Sequence, residues 1–268
     1  MLLFLFTAGF TLIFGLMKII NLTHGSYYLF GGYIGLMVFY RTRSLLLSAI
    51  LGSISIAILG LLMQRSLLHR YEKTHDTQVI LTFGFLLFFS DLALSIWGGE
   101  PKTIPVPGLL ESSIRMGSLT FPTYRLALIV IGLLIAALLW WFLKSKYGVL
   151  LRAGIENEEM TSGVGVNISL LKTLTFAGGS LLAGLAGVIG SPVIGVYPGV
   201  DMQILLLSLV IVIIGGMGSL KGAFIGSLLV GLMDTFIKAL FPIFSLFAIF
   251  FVMAATLAIK PSGLFSSE

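Results

Sequence analysis

Polar residues interrupt two long apolar runs near the start of the chain, and their types suit contact with a small polar solute. The polar and small residues of this interruption are Asn21, Thr23, His24, Gly25 and Ser26. In lipid, a glycine-centred break persists only where the freed backbone groups are buried in protein or line a wet cavity. A helix starting near Ser26 would also point its N-terminal dipole at that cavity, which suits an anionic or zwitterionic ligand. The alternative is a short polar loop at the membrane surface, and the residues alone favour neither.

A second interruption, residues 214–222, occupies a similar place in the other half of the chain. Each half then contains an apolar stretch, a break of small and polar residues, and a helix rich in small residues. Paired breaks of this kind indicate a substrate pathway. We therefore predict that Gly215 and Gly216 line the same path as the first break.

Two stripes of small residues recur every four positions and predict close helix packing. Residues spaced by four share a helix face, and small side chains there let a second helix approach. We expect packing to be their role, in preference to ligand contact. The stripes are Gly179, Ala183 and Gly187 in one segment, and Gly218, Gly222 and Gly226 in the other.

A polar segment, residues 151–167, is long for a loop in so apolar a protein. Arg152 with Glu156, Glu158 and Glu159 could form a short amphipathic surface helix that ends at Gly163 and Gly165. A solvated charged loop is the simpler interpretation. Its length and position nevertheless suit a surface on which a partner docks, and we predict a short docking helix that contains residues 156–162.

Enzymatic and metal-binding functions find little support in the remaining residues. The chain has no cysteine, which excludes thiolate nucleophiles and cysteine-ligated metals. Within the other spans, the ionisable residues that we identify are Asp91 and Asp234, and Asp234 lies four residues before Lys238, where the two can pair. No paired catalytic groups and no phosphate-binding loop of the G-x-x-x-x-G-K-[ST] type are found. We expect no metal and no cofactor bound by this chain.

Composition places the chain in a membrane. Of the 268 residues, 57% are apolar and 10% are charged, against about 25% charged residues in an ordinary soluble domain. The net charge of +5 is scattered, so we expect lipid and not nucleic acid as the partner. Long continuous apolar runs favour helices over a β-barrel. We predict an all-α, polytopic transmembrane bundle of about eight helices in one domain, 1–268, with broken or re-entrant segments near 18–26 and 214–222.

The basic residues predict the orientation of this bundle. Loops 64–77 and 144–172 carry three and four Lys or Arg residues, and basic loops stay on the cytoplasmic side. Both loops are therefore predicted to be cytoplasmic. Segment 98–123 falls on the external side, where its prolines exclude a long helix and predict an ordered lid.

Three motifs, in order, resemble the branched-chain amino-acid ABC transporter permease family. Residues 15–26 followed by Gly-Gly-Tyr at 31–33 resemble that family's broken first segment. Residues 151–167, with Glu159 six positions before Gly165 and a Val-Asn pair ending at Asn167, resemble its coupling loop. Residues 215–222 match its late glycine-rich stretch.

This resemblance implies a LivH-like, multi-pass subunit of the cell inner membrane. It would pair with a second, related permease, two cytoplasmic ATP-binding subunits that hold ATP and Mg²⁺, and an external solute-binding protein. The implied substrates are branched-chain or other hydrophobic amino acids, with urea, short amides or aromatic acids as alternatives. The residues implied to couple to the ATPase are Arg152, Glu156, Glu158, Glu159, Gly165 and Asn167.

Two other classes of function compete with an ABC permease. An ion-coupled secondary carrier would need its own coupling-ion site; the shortage of buried carboxylates argues against proton coupling, while sodium could still be held by unwound backbone. An intramembrane enzyme would need paired catalytic groups at membrane depth, and His24 has no acidic residue near it in sequence.

Overall fold

The computed structural model describes residues 1–17, 20–71, 74–116, 119–163 and 165–265. In this part of the chain, eleven α-helices form a bundle, as the all-α prediction requires. The helices are α1 Leu2–Thr11, α2 His24–Thr42, α3 Leu45–Ser66, α4 His75–Trp97, α5 Thr123–Lys144, α6 Lys146–Glu156, α7 Glu158–Gly163, α8 Ile168–Ile194, α9 Val200–Gly215, α10 Leu220–Leu240 and α11 Ser245–Ile259.

Five helices are long and apolar enough to cross a membrane. They are α3, α4, α5, α8 and α10. Shorter apolar helices add further segments, namely α9, α11 and the N-terminal run Leu2–Gly15, in which a π-helical stretch, Leu12–Leu16, continues α1. An α-helix satisfies its backbone hydrogen bonds within its own segment, which is why helices of this kind are stable in lipid.

The core of the bundle is built by α2, α3 and α8, which pack on one another, with α1 against α8. Three tyrosines of α2 are fully buried there, namely Tyr27, Tyr28 and Tyr33. Burial separates inner from outer helices. In the 18-residue apolar stretch of α8, 61% is buried inside the protein, against 17% in that of α5. Both sequences are apolar, so burial and not hydropathy distinguishes α8, which packs inside the bundle, from α5, which is mostly exposed on its surface.

The proline-rich segment is ordered and attached to the end of α8. It contains a two-stranded antiparallel hairpin, with β1 Ser113–Met116 and β2 Leu119–Pro122. Lys102 forms a backbone bridge with Val196, and the Ile104 N–H donates to Ser191 Oγ at 3.0 Å. The absence of a long helix agrees with the prediction for the described residues of 98–123, whereas the function of a lid stays a prediction.

The predicted docking helix is two helices instead of one. The chain breaks at Asn157 between α6 and α7, because Asn157 is extended and its Oδ1 accepts the Met160 N–H at 3.0 Å. Such a contact is an N-cap, which starts a new helix. A single helix over residues 156–162 was therefore wrong, and the helix that carries Glu158 and Glu159 begins after the break.

Candidate functional site

The first break is enclosed by protein. Asn21, Thr23 and His24 are all fully buried, so the first break is not an exposed loop, and its depth in the membrane stays a prediction. The Thr23 hydroxyl donates to the Thr82 carbonyl of α4 at 2.9 Å, and the Thr82 hydroxyl lies 3.3 Å from the Ile20 carbonyl. These contacts hold the non-helical segment against α4. Residues 18 and 19, within the predicted break, lie outside the described residues.

His24 lies at the first turn of α2, inside an aromatic cage. Its ring centroid is 4.7 Å from that of Phe6 and 5.5 Å from that of Phe10. The His24 Nε2 lies 3.2 Å from the Phe6 carbonyl. A carbonyl only accepts, so the hydrogen is assigned to Nε2. Within the described residues, Nδ1 then remains an acceptor with no partner.

The start of α2 touches the start of α9. A Cβ added to Gly25 would meet the Asp201 carbonyl and then Leu205. This position therefore requires glycine, because any larger side chain would push the two helices apart. Ser26, the next residue, is also buried. The contact joins the first break to α9, a helix that no sequence pattern placed beside it.

Asp201 is a buried carboxylate that the sequence analysis missed. Its side chain is 1% exposed. Its Oδ1 accepts the Gly199 N–H at 3.0 Å, while Oδ2 makes no well-formed hydrogen bond among the described residues, with the Ser90 side chain and the Met202 N–H as polar neighbours of the carboxylate. The Pro198-Gly199 pair could have indicated this residue from the sequence. It predicts a turn just before Asp201, so that α9 begins earlier than the apolar run suggests and includes Asp201. Asp91, by contrast, is exposed, and Asp234 pairs with Lys238 at 2.6 Å, as predicted.

Further buried polar side chains each carry at least one atom without a hydrogen-bond partner in the described part of the chain, although Gln78 donates its Nε2 to the Leu68 carbonyl. They come mainly from the first four helices and the break, in contrast to the apolar cores around them. Buried polar atoms are normally hydrogen-bonded, so a group of exceptions in one region calls for a functional explanation. These side chains are Thr7, Thr11, Asn21, Ser26, Tyr28, Tyr33, Gln64 and Gln78.

The second break differs from the first. The chain turns between α9 and α10, and Met217 in this turn is 64% exposed. Gly215 packs against Gly222, and Gly216 lies against Gly263 near the C-terminus. Gly215 and Gly216 thus lie in close backbone contacts with other glycines. These contacts do not include the polar residues of the first break.

The small-residue stripes occur at helix contacts, with one exception. Gly179 packs on Ile13 and Gly9, and Gly187 packs on Tyr28. Ala183 between them is fully buried. In the second stripe, Gly222 and Gly226 of α10 face α9.

Gly218 is the exception, and its predicted position on the same helix face was wrong. It precedes α10 with a φ of +84°, a left-handed conformation that glycine adopts without strain. Its neighbour is Gly15. Ser219 starts the helix after it, since its Oγ accepts the Gly222 N–H at 3.0 Å.

Two residues of the predicted coupling segment make structural contacts within the chain. The Arg152 guanidinium donates to the Leu143 carbonyl at 2.8 Å, at the end of α5. Asn167 Oδ1 accepts the Leu170 N–H at 3.0 Å and caps α8. Gly165 has a φ of +85° and turns the chain between α7 and α8. The side chains of Glu156, Glu158 and Glu159 lie outside the described residues.

A polar cleft of about 380 Å³ adjoins this segment. It lies between the end of α3 and the start of α8, and Arg65 and His69 line one side while Asn167 and Ser169 line the other. Among the described residues, no group of three or more His, Asp or Glu side chains is placed to hold a metal ion.

Comparison with known proteins gives one consistent result. A family model described as the permease component of branched-chain amino acid transport systems matches residues 1–257. The permease protein BraD of a high-affinity branched-chain amino acid transport system from Pseudomonas aeruginosa is 26% identical, with 87% of this chain and 80% of that protein aligned. LivH from Salmonella typhimurium, named for the same kind of system, is 26% identical over 88% of this chain and 81% of its own length.

An archaeal relative extends this comparison to almost the whole chain. A probable branched-chain amino acid transport permease protein LivH from Methanocaldococcus jannaschii is 24% identical, and the alignment covers 98% of this chain and 88% of that protein. No solved structure matches the chain.

Proposed function

Because this chain belongs to the branched-chain amino acid transport system permease family, we propose that it is the membrane-spanning subunit of an ATP-driven ABC importer. Its substrates are branched-chain or other hydrophobic amino acids, as the names of its relatives suggest. The chain is a multi-pass membrane protein, and its proposed location is the cell inner membrane. The family is one of transport permeases, not of enzymes, and ATP and Mg²⁺ belong on partner subunits.

The observation that carries this proposal is the buried polar break beside α4 and α9. Non-helical backbone inside a membrane protein is stable only where protein or water covers it. Beside this break, the first turns of α2 and α9 bury His24 Nδ1 and Asp201 Oδ2, which lack well-formed hydrogen bonds within the described residues. An amino acid that crosses the membrane carries an ammonium and a carboxylate, which need such groups. We place the path along Asn21, Thr23, His24, Gly25 and Ser26, with Asp201 beside it.

A second, related permease is the proposed partner within the membrane, and Asp91 supports it. This carboxylate is exposed on α4, a span-length helix, and has no ion pair or hydrogen bond within the described chain. A lipid-exposed charge within a span is unfavourable, so a second subunit is the better neighbour. A photo-crosslinker at position 91 should capture that permease; capture of lipid alone would argue against this interface.

Two cytoplasmic ATP-binding subunits and an external solute-binding protein complete the proposed importer. The α6–α7 segment and the adjacent cleft between α3 and α8 form the surface proposed for an ATP-binding subunit. Support comes from the exposed position of Asn157 and from the basic side chains, Arg65 and His69, on the cleft. These contacts would transmit nucleotide-driven movement through Arg152, which touches the end of α5.

Reconstitution in liposomes tests the function directly. The chain is inserted with the second permease, the ATP-binding subunits and the binding protein, and uptake of labelled leucine is measured with ATP and with a non-hydrolysable analogue. We expect uptake only with ATP and all subunits. Competition by urea, short amides and aromatic acids tests the alternative substrates. Uptake by this chain alone, driven by a sodium or proton gradient, would identify an ion-coupled carrier and contradict the proposal.

A further inference from the structure

An apolar groove lies between α5 and α10 on the surface of the described bundle. Its volume is about 720 Å³, and Phe4 of α1 lines it between the two helices. Ala137 and Trp141 contribute one wall, and Phe224 and Ile225 contribute the other. Because α5 is among the least buried spans, this groove lies on the outer surface of the described bundle.

Two lysines lie over one tryptophan at the end of this groove. The Lys144 Nζ is 5.4 Å from the centroid of the Trp140 ring, and the Lys221 Nζ is 5.0 Å from the same centroid. Lys144 ends α5 and Lys221 belongs to the first turn of α10. Both ammonium groups are therefore placed at one boundary of the membrane, with the apolar walls extending away from them.

The position of Lys221 is unfavourable unless an anion is near. The helix dipole stabilises cations at a C-terminus, which explains Lys144, but it opposes a cation in the first turn. Cation–π attraction accounts for one lysine at the ring, whereas a second like charge adds repulsion. Within the described chain, neither ammonium is paired with a carboxylate. A negative group between the two lysines would remove this repulsion.

The surroundings identify the kind of anion. Apolar walls suit an acyl chain, and tryptophan with lysine at a span end is typical of the lipid headgroup level. Basic pockets between transmembrane helices recognise anionic headgroups. A soluble phosphate would leave the apolar walls uncovered, so the lipid accounts for both halves of the groove.

We propose that this groove is a binding site for an anionic phospholipid of the bilayer. The headgroup phosphate lies between Lys144 and Lys221 at the edge of Trp140, and one acyl chain lies along Phe4 and Phe224. The site holds α5 and α10 together through a lipid, since both pack on α1 with this groove between them. The proposal is independent of the transported substrate.

Fluorescence quenching of Trp140 measures whether the groove binds an anionic phospholipid in preference to a neutral one. The full chain with Trp141→Phe is placed in vesicles of phosphatidylcholine and phosphatidylglycerol, with either lipid brominated in its acyl chains. The remaining tryptophan, Trp97, is stacked on Tyr33 at 4.5 Å. Its contribution is measured as background in a chain that carries both Trp140→Phe and Trp141→Phe. We expect phosphatidylglycerol to quench Trp140 preferentially, and Lys144→Gln with Lys221→Gln to weaken this preference roughly fivefold for each lysine.

Matched variants separate the site from general surface charge. Lys146→Gln with Lys260→Gln removes the same net charge away from Trp140 and should keep the preference, while Lys144→Arg with Lys221→Arg should retain it in a folded protein. An unchanged preference in the double glutamine variant would overturn the proposal. So would an equal loss in the control pair, or shielding of Trp140 from both lipids by another subunit in the assembled transporter.

Discussion

At the scale of single residues, the interior of this permease is defined by polar groups that ordinary packing does not explain. His24 uses one ring nitrogen for the Phe6 carbonyl and presents the other without a partner in the described chain. Asp201 likewise uses one oxygen for Gly199. Each residue is therefore held by at least one hydrogen bond and keeps one atom, His24 Nδ1 or Asp201 Oδ2, without a well-formed partner in the described chain; we propose that these atoms contact the solute.

Replacing His24 by alanine should slow transport without affecting capture of substrate by the external binding protein. The change removes an unpaired acceptor from the proposed path and leaves the break itself tied to α4 through Thr23. We expect uptake to fall about tenfold, equivalent to one lost hydrogen bond of roughly 1.4 kcal/mol. Uptake by reconstituted transporter measures this, and His24→Gln, which keeps a donor for Phe6, should be less impaired. Near-normal uptake in His24→Ala would remove His24 from the path.

Asp201→Asn should impair transport while preserving the fold. Asparagine keeps an oxygen for the Gly199 N–H and removes only the charge, which is the part of a buried intramembrane carboxylate expected to be functional. Uptake should fall by about tenfold or more with a normal melting temperature in detergent. Asp234→Asn is the matched control, because its exposed pair with Lys238 contributes only about 0–1 kcal/mol. Equal behaviour of the two variants would show that the buried charge has no special role.

At the scale of elements, close helix contacts position these residues. α2 begins inside the protein because its first turn meets α9 at Gly25, and α8 admits α1 and α2 through Gly179 and Gly187. Small residues replace side-chain interdigitation with direct backbone approach. A larger side chain at any of these glycines would therefore displace a whole helix.

Gly25→Ala should destabilise the protein, whereas Gly84→Ala should not. The added methyl at position 25 would collide with the Asp201 carbonyl, and overpacking of this kind costs about 1–3 kcal/mol. Nothing lies within 4 Å of a Cβ at Gly84 on α4, so alanine there should be neutral or stabilising by about 0.5–1 kcal/mol. Unfolding in detergent, followed by tryptophan fluorescence, measures both. Equal stabilities would contradict the contact between α2 and α9.

Charge reversal of Glu158 and Glu159 should uncouple ATP hydrolysis from transport. Both residues belong to α7, the short helix that Asn157 caps, and they lie in the segment proposed to dock on an ATP-binding subunit. We expect substrate-stimulated ATP hydrolysis to fall while insertion and folding remain normal. Glu100→Lys with Glu111→Lys, on the proline-rich segment, is the control with the same change in charge. Unimpaired coupling in the α7 variant would refute the docking assignment.

At the scale of the whole molecule, the two ends of the bundle differ in character. One end carries the proline-rich segment, in which Lys102 and Ile104 bond to Val196 and Ser191 at the end of α8. The other carries α6 and α7 with basic side chains nearby. That the α6–α7 end faces the cytoplasm, as the basic loops predict, stays a prediction.

Single cysteines test this orientation, because the chain has none of its own. A membrane-impermeant thiol reagent applied to intact cells should label a cysteine at Glu111 and leave one at Asn157 unlabelled. Both positions are exposed, so accessibility alone does not distinguish them. Lysis should make the cysteine at position 157 reactive. The reverse pattern would invert the proposed orientation and remove α7 as the docking element for an ATP-binding subunit.

The sequence by itself determined the helical, membrane-spanning class, the positions of both interruptions and the Asp234–Lys238 pair. These features depend on composition and on neighbours within one or two turns, which a linear pattern contains. Tertiary structure alone decided which apolar helices face protein, since lipid and a protein core select the same side chains. It also brought Asp201 beside Gly25 and set Lys144 and Lys221 over one tryptophan. Each of these depends on contacts between distant segments, which local periodicity does not encode.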